Sequence, residues 1–118
     1  MDEMSRLLPH KSDKIFLAHC GLETDLIFNK GIDLPEFASF PLLETEETRQ
    51  MLVEYYTESM QLAQDYDIGV VAESVTWMAN KDRAAPLGYT PEQLRTVNYN
   101  AVKLMSEVRH DNGFDNIL

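Results

Sequence analysis

Polar and small residues follow two short apolar runs in this sequence, at positions where they could bind a small molecule. The first run, residues 15–18, leads into an imidazole, a thiol and a glycine, and the second, residues 68–73, leads into two hydroxyl side chains. In α/β proteins, ligands bind just beyond the carboxyl ends of parallel strands. The candidate ligand-binding residues are therefore His19, Cys20, Gly21, Ser74 and Thr76.

The adjacent His19 and Cys20 raise the question of a metal site or a catalytic dyad. Consecutive strand residues point to opposite faces, so these two side chains would not converge on one ion. A zinc site needs three or four ligands, and the other histidines, His10 and His110, lie in polar stretches near the two ends. Nothing in the sequence orients an imidazole toward the thiol. We therefore expect a buried or pocket-lining Cys20, no catalytic residue and no metal ligand.

The elements that must position these residues begin with a short strand at 15–18. A short helix is predicted over residues 22–30, with Gly31 as its C′ residue. Residues 31–44 carry Pro35 and Pro41 and predict an extended loop.

A long helix is predicted from Thr45, whose hydroxyl can cap the first free amides, to the vicinity of Asp67. Alternating steps of four and three predict one buried face, formed by Leu52, Tyr56, Ser59, Ala63 and Tyr66. The aromatic side chain of Trp77, after the second strand, is also expected to pack.

The last helix has the clearest local signal. Thr90 at the N-cap, Pro91 at N1 and Gln93 at N3 form a capping-box pattern. Its predicted apolar face consists of Leu94, Val97, Ala101, Leu104 and Val108. Phe114 is expected to approach a further strand.

This order of strands and helices predicts an α/β fold. Two parallel strands joined by a helical crossover form a βαβ unit, and two strands are too few for a stable sheet of their own. We therefore expect the first βαβα units of a (β/α)8 TIM barrel, truncated, with residues 1–13 as a polar lead-in and 14–118 as the barrel part. A small free-standing α/β domain is the alternative.

The composition narrows the classes of function. The 118 residues include 10 basic and 20 acidic side chains, for a net charge of −10. This charge disfavours nucleic acid and anionic membranes as partners. No apolar run is long enough to cross a bilayer, no secretory signal is visible, and the single cysteine fits a reducing compartment. A cytoplasmic protein is expected.

Several segments occur in the order and spacing of one known family. They are residues 19–26 (HCGLETDL) in place of a D-G-G-x-x-T-x-L pattern, residues 31–35 (GIDLP) with Phe40 and Leu42, residues 73–80 (ESVTWMAN) in place of T-x-T-[YFW]-x-A-[SN], Leu87-Gly88-Tyr89, and Asn98. Together they resemble the homocysteine S-methyltransferase family, the homocysteine-binding barrel domain, over residues 14–110. The family's aspartate and the glycine after it are His19 and Cys20 here.

This resemblance implies methyl transfer to the sulfur of homocysteine or a related thiol or selenol. In intact relatives a zinc ion, held by three cysteines from later strands, binds the amino-acid thiol and lowers its pKa. The cysteine segments have no counterpart here, so no cofactor is expected in this chain. By the same resemblance, His19, Cys20, Gly21, Ser74 and Thr76 belong to the pocket for the substrate's amino and carboxylate groups.

Two functions stay open. The chain is either an N-terminal piece of an S-methyltransferase-like protein of methionine biosynthesis, without methyl transfer on its own, or a non-catalytic remnant or interaction protein. In the second case, the open edges of an unfinished sheet would drive self-association.

Overall fold

Helices and, among the described residues, a single pair of strands make up the fold, which we describe from a computed structural model of the chain. The structure describes residues 8–18 and 21–114. The strands are β1 (Phe16–Ala18) and β2 (Gly69–Val71), and the helices are α1 (Leu22–Thr24), α2 (Glu46–Asp65), α3 (Lys81–Ala84) and α4 (Pro91–Asp111). A π-helical turn, Asp25–Asn29, continues α1, and 3-10 turns lie at Pro9–Lys11, Pro35–Phe37, Phe40–Leu43 and Ala85–Leu87.

The two strands pair in parallel, with Leu17 opposite Val70. Phe16 lies opposite Gly69, and its ring covers the glycine so closely that a Cβ there would be 2.3 Å from the ring. This contact needs a residue without a side chain at position 69, which accounts for a glycine inside a strand. Both strands are shorter than the predicted runs, but they place the described residues that follow them, from Gly21 and from Ser74, side by side.

Helix α2 begins as predicted, with the Thr45 hydroxyl accepting a hydrogen bond from the Thr48 amide. Its buried face consists of Leu52, Tyr56, Met60 and Ala63. Met60 therefore takes the place predicted for Ser59, and Tyr66, predicted to pack, is 72% exposed. The helix ends at Asp65, one residue before that tyrosine. The apolar periodicity in the sequence therefore continues one residue beyond the end of the helix.

Helix α4 begins with the predicted capping box, in which the Gln93 amide donates to the Thr90 hydroxyl and the Gln93 side chain accepts from the Thr90 amide. Its face of Val97, Ala101, Leu104 and Val108 is buried. Helices α2 and α4 pack against each other, so the two apolar faces share one core.

The segment between α1 and α2 contributes more to the core than the predicted loop implies. Ala38, Ser39 and Phe40 are all buried, at 1%, 2% and 0% exposure. The Phe40 ring meets Tyr89 edge to face at 5.0 Å between centroids. This segment therefore fills the space between the start of α4 and the strand ends.

The fold-class prediction, an α/β chain of opening (β/α)8 TIM-barrel units, is wrong. The described residues are 63% helical, and they contain only two strands of three residues each. The apolar faces of α2 and α4 cover each other and the segment before α2, so further strands are not what buries these helices. The chain folds as a small, mainly helical domain around one strand pair.

Among residues 8–18 and 21–114, no helix has the length and apolar character that crossing a membrane requires.

Candidate functional site

A cleft of about 320 Å³ lies where the two strands end. Two segments form it, the start of α1 after β1 and the turn after β2. Its lining residues are Gly21, Leu22, Glu23, Thr24, Glu73, Ser74 and Trp77. Two of the predicted site residues, Gly21 and Ser74, are thus brought together by the parallel pairing of the strands.

Gly21 adopts a left-handed backbone conformation, with φ of 72°, at the first turn of α1. A residue with a Cβ would be strained in this conformation, whereas glycine adopts it freely. The turn leads directly into α1, whose residues form one wall of the cleft. Gly21 therefore shapes the cleft by its backbone.

The Glu23 carboxylate lies on the same wall, and a buried residue on the core side holds it by a hydrogen bond. The Ser39 hydroxyl donates a hydrogen bond of 2.7 Å to Glu23 Oε1. Ser39 is only 2% exposed, whereas Glu23 is half-buried. One carboxylate oxygen is thus tied to the protein interior.

On the opposite wall, the end of β2 is fixed by a tyrosine from α2. The Tyr56 hydroxyl donates a 2.7 Å hydrogen bond to the backbone carbonyl of Glu73, and the tyrosine is fully buried. Burial raises the pKa of Tyr56 well above its ordinary value, with smaller contributions from Tyr55 and from the carboxylates of Glu23 and Glu73. Both carboxylates therefore act on the same buried hydroxyl beneath the cleft.

The two predicted hydroxyl residues lie together, although only one reaches the cleft. Ser74 Oγ and Thr76 Oγ1 are 2.6 Å apart and share a hydrogen bond. Ser74 lines the cleft, whereas Thr76 is not among the lining residues and contacts the cleft only through Ser74. Thr76 can therefore set the orientation of the Ser74 hydroxyl.

Trp77 does not pack as predicted. Its side chain is 65% exposed and lies at the edge of the cleft. The neighbouring Val75 is fully buried instead and anchors this turn to the core. The indole is therefore free to cover a ligand in the cleft.

Carboxylates and hydroxyls together make this cleft suited to a small polar ligand that carries a positive charge. Two carboxylates favour an ammonium group, and the Ser74 and Thr24 hydroxyls can donate to a carboxylate. The zinc ion that the resemblance implies for intact relatives does not fit the described residues. Within residues 8–18 and 21–114, His, Cys, Asp and Glu form no group of three or more that could hold a metal.

Only part of this site could be predicted from the sequence. The predicted site residues His19 and Cys20 lie outside the described residues. Glu23 and Glu73 were missed as site residues, although each lies within two residues of a predicted one and belongs to the same strand end. Ser39 and Tyr56 come from distant segments and carried no comparable signal.

Two wider clefts lie away from the strand ends. One, of about 480 Å³, borders the start of α4, where the Tyr89 hydroxyl donates to the Glu44 carboxylate. The other, of about 490 Å³, is an apolar groove along the strand pair and α2, and its lining includes Leu17, Leu62 and Val70. Neither contains a predicted site residue.

Comparisons of the chain with protein-family models, with curated proteins and with solved structures find no match. The class that the fold itself defines is a small, mainly helical domain with a polar cleft at the ends of two parallel strands. The resemblance to homocysteine S-methyltransferases stays a prediction that rests on the sequence motifs.

Proposed function

We propose that this chain binds a small thiol-containing amino acid, of the homocysteine type, in the cleft at the strand ends. The observation that carries the proposal is the shared lining of that cleft. Gly21 and Glu23 come from the segment after β1, and Glu73 and Ser74 come from the segment after β2. Motifs from two distant parts of the sequence thus contribute to one place.

The chemistry of the walls gives the ligand an orientation. The ammonium group faces the carboxylates of Glu23 and Glu73, and the carboxylate of the ligand faces the Ser74 hydroxyl. A cleft of about 320 Å³ lies at the small end of the range for ligand pockets, about 300–1,000 Å³, which favours an amino acid over a nucleotide or a peptide. The indole of Trp77 borders the apolar part of the ligand.

The proposal assigns substrate binding to this chain, with methyl transfer belonging to intact relatives. Methyl transfer needs a thiolate, and in those relatives zinc provides it. A direct check is to incubate the purified chain with zinc, homocysteine and a methyl donor. Formation of methionine at a steady rate would contradict this division of roles. We further expect a cytoplasmic location, because the single cysteine fits a reducing compartment.

Tryptophan fluorescence tests the binding itself. Trp77 is the only tryptophan of the chain and borders the cleft, so its emission should change saturably when homocysteine is added. Glu73→Gln should weaken binding about tenfold, because it removes one carboxylate facing the ammonium group. Glu92→Gln, on exposed surface of α4, is the matched control and should leave binding unchanged. No saturable change with the unaltered chain would refute the proposal.

A second candidate function, self-association, is favoured by the strand pair. Within the described residues each strand has a neighbour on one side only, and Ile15 and Val71 are 69% and 36% exposed beside it. Open strand edges with apolar neighbours pair readily with another chain. In this function the chain is a non-catalytic interaction protein.

A further inference from the structure

We propose that Ser39 is a positioning residue for the ligand cleft, which holds the Glu23 carboxylate in the orientation that selects ligands with a free ammonium group. This inference rests on the proposed function. It adds to that function a residue outside the cleft and outside every sequence motif used to predict the site.

Ser39 stands out by its burial. Apart from Tyr56, whose hydroxyl is also buried, it is the one buried residue with a polar or charged side chain in the part of the chain that the structure describes, and its neighbours Ala38 and Phe40 are buried as well. A buried hydroxyl is costly unless it forms a hydrogen bond. Its partner is a carboxylate oxygen that also belongs to the cleft, at 2.7 Å.

The backbone holds this donor in place. The Ser39 carbonyl accepts a hydrogen bond of 3.1 Å from the Leu42 amide and so begins the 3-10 turn Phe40–Leu43. Phe40 in that turn is fully buried. The hydroxyl is thus presented from a fixed segment, and it can hold one oxygen of Glu23.

A fixed carboxylate matters more than a mobile one for selectivity. Glu23 has several rotatable bonds, and without Ser39 its carboxylate would sample solvent as well as the cleft. Within the described residues Ser39 Oγ bonds to Oε1 only, which leaves Oε2 for a ligand. Because of this bond, the Glu23 side chain is already ordered before a ligand binds. Binding of an ammonium group therefore costs less conformational entropy.

The selectivity of binding tests this role. The readout is the ratio of dissociation constants for 4-mercaptobutyrate, which lacks the amino group, and for homocysteine, both measured by Trp77 fluorescence. Ser39→Ala should lower this ratio roughly tenfold, because the bond to a charged group is lost. Ser39→Thr keeps the hydroxyl and should restore most of the ratio. The control Ser59→Ala, which removes a half-buried hydroxyl of α2 that donates to backbone carbonyls, should leave the ratio unchanged.

A merely structural role gives a different result. In that case Ser39→Ala would weaken both ligands equally, with an unchanged ratio, and the proposal would be overturned. A second measurement needs no ligand. Side-chain NMR couplings should show a single rotamer for Glu23 in the unaltered chain and averaged rotamers in Ser39→Ala; averaging in both, or in neither, also overturns it. Absence of homocysteine binding with a fixed Glu23 rotamer would refute the proposed function while leaving the positioning of Glu23 by Ser39 established.

Discussion

At the scale of single residues, two buried hydroxyl groups hold the walls of the cleft by hydrogen bonds from the core. Tyr56 reaches from α2 to the Glu73 carbonyl, and Ser39 reaches from the segment before α2 to the Glu23 side chain. Each joins a cleft wall to the core, so the polar surface is supported by groups that solvent does not reach. Removal of such a bond costs the most stability when it leaves a buried donor or acceptor without a hydrogen-bond partner.

We expect Tyr56→Phe to lower the free energy of unfolding by about 1–2 kcal/mol, because the Glu73 carbonyl loses its donor while the ring still fills its place. Urea denaturation followed by circular dichroism measures the change. Tyr66→Phe, at a site 72% exposed, is the control and should change stability by less than about 0.5 kcal/mol. Equal effects of the two substitutions would contradict the role given to Tyr56.

The pKa of Tyr56 gives stability a dependence on alkaline pH. Its pKa is raised from an ordinary value of 10.0, chiefly by burial. The unfolded chain releases this proton near pH 10 while the folded chain keeps it, so the free energy of unfolding should fall as the pH rises above about 10. The pKa of Tyr89 is raised as well, by burial and then by its bond to Glu44, and acts in the same direction.

Urea denaturation from about pH 8 to pH 11 tests this linkage. The unaltered chain should be more stable than Tyr56→Phe by a constant amount up to about pH 9, and the two curves should converge above pH 10, because only the tyrosine can ionise. A constant difference through the whole range would contradict a raised pKa at Tyr56.

At the scale of elements, the strand pair depends on one close contact. The Phe16 ring lies over Gly69, its partner in the register. A methyl group at position 69 would force the ring away and open the sheet beside the cleft. The register thus depends on a residue type as well as on backbone hydrogen bonds.

Gly69→Ala should therefore cost about 1–3 kcal/mol of unfolding free energy, as an overpacked site does. Thermal or urea denaturation measures it. In the Phe16→Leu background, where the side chain is smaller and flexible, the same substitution should cost clearly less. Additive effects of the two substitutions would show that the ring and the glycine do not interact.

At the scale of the whole molecule, charge and open strand edges oppose each other. The net charge of −10 makes two copies repel, while the strand pair offers unpaired edges and exposed apolar side chains. Salt screens the repulsion and leaves the apolar contacts intact. Association, where it occurs, should therefore grow with ionic strength.

Size-exclusion chromatography with light scattering at about 0.05 M and about 0.5 M NaCl measures this effect. We expect a larger mass at high salt and a reversal by Val71→Lys, since a charge on a strand edge opposes pairing. Val102→Lys, at an exposed position of α4, is the matched control and should keep the association. A monomer under both conditions would remove self-association as a function.

Local patterns predicted much of the helical structure. Thr45 and Thr90 cap α2 and α4 as their side chains imply, and the buried face of α4 follows its periodicity. These features depend on residues within a few positions of one another. Their physical cause, the free amides and the apolar stripe of a helix, is contained in the sequence itself.

The fold class could not be obtained in the same way. The order of strands and helices was compatible with barrel units, but the order does not say what covers each apolar face. In the structure α2 and α4 cover each other, and residues 38–40 fill the remaining space. Packing between distant segments decides this, and it depends on shape across the whole core.

The sequence by itself determined the starts of α2 and α4, the acidic character and the two strand ends where a ligand could bind. Only the tertiary structure decided which residues those ends present, with Glu23 and Glu73 in the cleft, Thr76 bonded to Ser74 and Trp77 at the edge of the cleft. The physical reason is the separation in sequence over which each kind of interaction acts. Caps and periodicity act between neighbours in the chain, whereas a cleft is formed by segments about fifty residues apart that meet only when the strands pair.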